Sequence, residues 1–144
     1  MKTISAVSIL VFAMLATAQA SGDSPQAVSD DREAIHTVIR SQLSAFLADD
    51  AAGAYSLTSP ALQRYFSNPE LFLEMIKLAY PAVYRPRAFH FDALEVSDGK
   101  AAQSVVILGE GEFALLAVFE LQQQSDGRWL ISACDLYASG SRVI

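Results

Sequence analysis

The apolar pattern of this chain changes period once, at Pro86, and that change limits the fold more than any other feature. Upstream, Ile35, Val38, Ile39, Leu43, Phe46 and Leu47 recur at helical intervals, and Leu71, Phe72, Met75, Ile76 and Ala79 make a second stripe of the same kind. Downstream, the period is two. Phe89, Phe91 and Ala93 alternate with His90, Asp92 and Leu94, and three further apolar runs follow: Ala101 to Leu108, Phe113 to Leu121 and Trp129 to Tyr137. The turns between them, at Ser97–Lys100, Gly109–Glu112 and Ser125–Gly127, are short. Short turns pair strands antiparallel, because parallel pairing needs long crossovers. Helices first and a four-strand meander second is an α+β plan, with N-terminal helices packed on an antiparallel sheet.

Local signals set the expected boundaries. Asp30 and Glu33 have capping-box spacing, so the first helix is expected near Asp30, with residues 21–29 as a flexible lead-in and 30–144 as one domain. Asp49-Asp50 interrupts the first stripe and can cap a short helix from Ala51 to Leu57. Ser59-Pro60 opens a turn of helix from Ala61 to Phe66. Asn68-Pro69-Glu70 combines an N-cap, a proline at the first helical position and an acid in the first turn. Pro81 and Pro86 bound a turn containing Tyr84. The third strand is apolar on both faces, with Phe113, Leu115, Ala117 and Phe119 on one and Ala114, Leu116 and Val118 on the other. A sheet open to water on one side would alternate cleanly. Its second face therefore needs a cover, either a second copy in a homodimer or the chain's own N-terminal helix.

The first twenty residues read as a cleavable export signal. Lys2 is followed by an apolar run, Ala6 to Leu15, and by the small-residue site Ala18-Gln19-Ala20. The run is too short for hydrocarbon about 30 Å thick, and Ser21, not a lipidated cysteine, would begin the mature chain. Periplasmic or secreted localisation follows, without a stable membrane anchor. The chain is acidic, with a formal net charge of −6, and loss of Lys2 makes it more so. No basic run offsets this, which makes nucleic acid a poor partner. Cys134 is the one cysteine, so no internal disulfide forms. Its neighbours suggest buried, inert packing. His36 and His90 are the only histidines, and no metal spacing or cofactor motif is present.

Three runs carry a family resemblance: Gln42 to Tyr55 followed by Ser59-Pro60; Tyr65-Phe66-Ser67-Asn68-Pro69-Glu70-Leu71-Phe72-Leu73-Glu74-Met75-Ile76; and Asp126-Gly127-Arg128-Trp129-Leu130-Ile131 with Cys134-Asp135-Leu136. In this order they resemble the bacterial DUF4864 family over most of residues 31–137. That family is similar in layout to the NTF2-like, or cystatin-like, superfamily, and the resemblance implies a cone of helices in the concave side of a curved sheet. It supplies no catalytic set, and fold alone is a weak guide to function. Trp129 is expected to anchor the core with its N–H on a carbonyl.

A cone would place its pocket between helices and sheet, and the aromatic residues expected to line it are Tyr55, Phe72, Tyr80, Tyr84, Phe89, Phe91 and Trp129. Core filling explains the same residues. Asp135 is the polar candidate, since strict alternation gives it the parity of Trp129 and Ile131; desolvation there would suit it to general-base work, with Tyr55 or Tyr80 as oxyanion donor. Three readings follow. One is an exported, non-catalytic domain binding a small apolar ligand or a protein partner. Another is a small cofactor-free isomerase or dehydratase using Asp135. The last is an assembly domain with a filled cone.

Overall fold

The structure is a computed structural model, and it describes residues 24–111 and 113–142. Residues 1–20, where an export signal is expected, lie outside the described residues. Five helices precede the sheet: α1 (Pro25–Leu47), α2 (Ala51–Ser56), α3 (Pro60–Phe66), α4 (Pro69–Ala79) and α5 (Pro81–Tyr84). Four strands follow: β1 (Ala88–Ser97), β2 (Lys100–Leu108), β3 (Phe113–Gln123) and β4 (Trp129–Arg142). They form one antiparallel sheet in the order β1-β2-β3-β4, so the α+β plan holds.

Side-chain caps start four of the helices. Ser24 accepts from the Ala27 amide at 3.3 Å and Pro25 occupies the first turn. The first helix therefore begins ahead of Asp30, and residues 25–29 are helical instead of a lead-in. The Ser-Pro pair is the stronger start signal, because the cap satisfies an orphan amide and proline has none to lose. Asp30 accepts from Gln26 Nε2 within the helix instead. Asp50, Ser59 and Asn68 cap α2, α3 and α4 as expected, accepting from Gly53 N at 3.0 Å, Leu62 N at 3.3 Å and Leu71 N at 2.9 Å. A β-carbon at Gly53 would overlap the Asp50 carboxylate, so the cap requires glycine there. Asp49 caps nothing. It sits at φ 52° in the α1–α2 link, accepting from the Tyr84 hydroxyl and from Arg85 Nη2 at 3.0 Å. Arg85 Nη1 also donates to Phe46 O at 2.8 Å, so one side chain ties the end of α1 to the residue after α5.

The sheet's register departs from strict alternation at two places that matter. In β1, Phe91 pairs with Val105 and Leu94 with Gln103, so Asp92 and Ala93 face a single residue, Ser104. This β-bulge flips the parity. Leu94, not Ala93, packs on the core. The bulge leaves backbone carbonyls without ladder partners, and the fully buried Gln103 supplies them: its Nε2 donates to Asp92 O at 3.3 Å and to Ala93 O at 3.2 Å. In β4, Ile131 pairs with Leu121 and Ala133 with Glu120, which leaves Ser132 as the extra residue; its hydroxyl donates to Glu120 O at 3.2 Å.

All five helices pack on one face of the sheet. Ile35, Ile39, Leu43 and Phe46 of α1 join Phe72 and Ile76 of α4, Val83 of α5, and Val105, Ile107, Ala117, Phe119 and Leu121 from β2 and β3. Leu116 and Val118 point to the opposite face, paired with Tyr137 and Asp135, and α1 packs on the Phe119 side instead. Phe113 was expected beside Leu115 and Phe119 but is exposed, because the β3–β4 register shifts between Phe113 and Leu115. The segment linking α2 to α3 lies along the edge of β4: Ile131 N donates to Leu57 O at 2.9 Å and Ser59 N to Ile131 O at 2.8 Å. Those bonds occupy an edge that would otherwise be open.

Candidate functional site

A cavity of about 430 Å³ lies between the helices and the β3–β4 half of the sheet. Pockets that enclose small molecules span about 300–1,000 Å³. Gln42 and Phe46 of α1 form its inner wall. Leu62, Tyr65 and Phe66 come from α3, and Phe72, Met75 and Ile76 from α4. Tyr80 and Val83 close the end near α5. Phe119, Ile131, Ser132, Ala133, Cys134 and Asp135 belong to the sheet side. Edge-on aromatic contacts hold the helical wall together. Phe66 meets Phe72 with centroids 5.4 Å apart, and Tyr65 meets Phe66 at 5.0 Å. Tyr65 is 80% exposed and so stands at the open side.

The lining is mostly apolar and carries no lysine, arginine or histidine among the described residues. Burial pushes the Cys134 thiol up to about 12, with the Asp135 charge adding to it; the thiolate needed for nucleophilic work does not form near neutral pH. Cys134 is inert packing, as its setting suggested. Burial also raises Tyr80 above its ordinary value, with Cys134 and Asp135 adding to the effect. Gln42 is the most deeply buried polar side chain of the lining. It is only 3% exposed, and its Nε2 donates to Ala54 O at 3.3 Å. No donor among the described residues reaches its Oε1, yet that atom is not sealed from solvent. Gln42 lines the cavity, and its carbonyl oxygen is left without a protein donor among the described residues.

Of the seven aromatic residues expected around a pocket, Phe72 and Tyr80 line this one. Tyr55 stands behind the wall, its ring 6.0 Å from Phe72 and its hydroxyl donating to Gln63 O at 2.5 Å. Tyr84 belongs to the Asp49–Arg85 cluster, where its hydroxyl's bond to Asp49 holds that carboxyl below the ordinary value. Phe89 and Phe91 pack near the start of the sheet. Phe91 stacks on His36 at 3.8 Å and 4°, with the Arg40 guanidinium 5.0 Å from the ring centre. Trp129 is buried, but its indole N–H donates to Asp31 Oδ1 at 3.2 Å, a carboxylate on α1 and not a backbone carbonyl.

Asp135 also departs from expectation. The extra residue at Ser132 breaks the alternation on which its parity rested. Cys134 and Leu136 turn toward the core, while Asp135 pairs with Val118 and is exposed. It reaches the cavity lining from the solvent side. His90 and Asp92 are exposed as well, with Asp92 inside the β1 bulge. His36 is partly buried against Phe91. Gln103 spends its amide hydrogens on carbonyls, so its Oε1 accepts from His36 Nε2 at 3.0 Å and fixes the tautomer. Burial lowers the His36 pKa, and Arg40 and Arg32 lower it further against the opposing Gln103 bond. No group of three or more His, Cys, Asp or Glu side chains is placed to hold a metal among the described residues. No helix among them is long and apolar enough to cross a membrane.

Gln42, Leu62, Phe66 and Met75 were not expected at a site. Gln42 alone left a trace in the sequence, as a polar residue at a buried position of the α1 stripe. Residues 28–143 match a family model described as a domain of unknown function, DUF4864. No curated protein matches the chain.

Proposed function

The chain belongs to the DUF4864 family, and from that premise we propose that it is an exported, non-catalytic binding domain of NTF2-like layout that holds a small apolar molecule between its helices and its sheet. The observation that carries this reading is the cavity of about 430 Å³ walled by Phe46, Phe66, Phe72, Met75, Ile76 and Phe119. The pocket is half open, and its wall is mostly apolar and aromatic with few polar groups, the character of sites that enclose small molecules. Export is supported by the Lys2, Ala6–Leu15 and Ala18-Gln19-Ala20 pattern. A base-catalysed reaction lacks a desolvated carboxylate, because Asp135 stands in water beyond the β4 bulge.

Methyl NMR of the mature chain titrated with N-phenylnaphthylamine, an uncharged apolar fluorophore, tests the reading. Saturable shifts confined to the methyls of Leu62, Met75, Ile76, Val83 and Ile131 are expected. No shift at millimolar probe, or shifts elsewhere on the surface, would overturn it.

A further inference from the structure

We infer that Gln42 is the specificity-determining residue of this cavity, and that the ligand is an uncharged amphiphile whose apolar body carries one hydrogen-bond donor, a hydroxyl or an N–H group. The inference rests on the reading of the cavity as a binding site and adds the ligand's chemistry to it. Gln42 sits on α1 between Ile39 and Phe46, both fully buried, and is itself 97% withdrawn from solvent by its 3% exposure. A carboxamide in such a stripe costs free energy unless both of its ends are bonded. One end is bonded: Nε2 donates to Ala54 O at 3.3 Å, and that bond also sets the direction of the amide. The other end, Oε1, accepts from no described residue, and the residue lines the cavity. An acceptor held in an apolar wall selects for a donor.

Charge narrows the class further. No cationic side chain lines the cavity among the described residues, and the single ionisable carboxylate of the lining, Asp135, stands at its solvent side. A carboxylate or phosphate head would meet the Gln42 oxygen with no cation in the lining to neutralise it. A cationic head at Gln42 would be desolvated without a counter-ion at hand, since Asp135 remains in water. A neutral donor suffers neither cost.

The test is displacement of N-phenylnaphthylamine from the mature chain by three ligands of similar length: decanol, nonyl methyl ether and decanoate. Decanol is expected to displace the probe at a concentration about tenfold below that of the ether, the difference one net hydrogen bond makes, and below that of decanoate. In Gln42→Met, which keeps the apolar volume and loses the acceptor, the gap between alcohol and ether is expected to shrink to less than about threefold, again on the scale of one hydrogen bond. The unmodified chain's preference stands as a test even if that variant fails to fold. Equal displacement by alcohol and ether in the unmodified chain, or decanoate as the best competitor, overturns the inference and leaves cavity binding intact. Absence of probe binding together with silent cavity methyls removes both.

Discussion

Single side chains decide more here than their positions in the sequence suggest. His36 falls between two members of the α1 stripe at a partly buried boundary position, where it stacks on Phe91 and donates to the buried Gln103. Its folded pKa is lowered, first by burial. A group whose folded pKa lies below its unfolded value near 6.5 folds best in its neutral form. Its contribution is therefore present in full above the unfolded pKa, falls as pH drops through it, and levels off once pH is below the folded value. An NMR titration of the His36 ring is expected to give a midpoint below 6.5, and His36→Phe, which retains a stacking ring, is expected to flatten the loss of thermal stability between neutral and mildly acidic pH. A midpoint at or above about 6.5 would show that the ring is not shielded as described. Gln103, whose place on the second strand predicted nothing of the kind, holds both this histidine and the carbonyls of the β1 bulge.

At the scale of elements, the helix starts were legible and the strand faces were only half so. Ser59-Pro60 and Asn68-Pro69 start helices because the cap bond forms within four residues of chain, with no help from the rest of the fold. Asn68→Ala is expected to cost about 1 kcal/mol, the usual loss for a missing N-cap, read as a lower urea midpoint at unchanged slope. Asp49→Asn should cost α2 no cap, because the cap is Asp50, and should act instead by weakening the ties to Tyr84 and Arg85. Measurement of both in one urea series separates the two roles; an unchanged midpoint for Asn68→Ala would mean that α4 is held by packing alone. The strands behave differently. Alternation placed Phe89, Phe91, Trp129 and Ile131 on the helix side, then failed beyond each bulge, at Ala93 and at Asp135. A bulge inserts its extra residue against a partner strand, so the parity that follows depends on a register that neither strand encodes alone.

For the molecule as a whole, the two-sided apolar character of β3 still asks for an explanation. Its Phe119 side is buried under the helices, while Leu116 and Val118 lie on the other face in rows with Val106 and Tyr137. Sedimentation of residues 21–144 at micromolar concentration is expected to show a homodimer formed through that face, and Val118→Lys to shift it to monomer; a monomeric unmodified chain would refute the expectation. Mature protein recovered from a bacterial periplasm is expected to begin at Ser21, and an intact mass retaining residues 1–20 would contradict the leader. The sequence by itself determined the order of helices and strands, the antiparallel meander and most of the caps, because each follows from contacts between near neighbours in the chain or from a repeating period. Only the tertiary structure decided where the cavity lies, that Gln42 lines it, that Phe89, Phe91, Tyr84 and Trp129 do not, and that Asp135 is an exposed member of its lining. Those outcomes depend on two bulges and on how α3 and α4 meet β4, and such geometry arises from the packing of segments far apart in sequence.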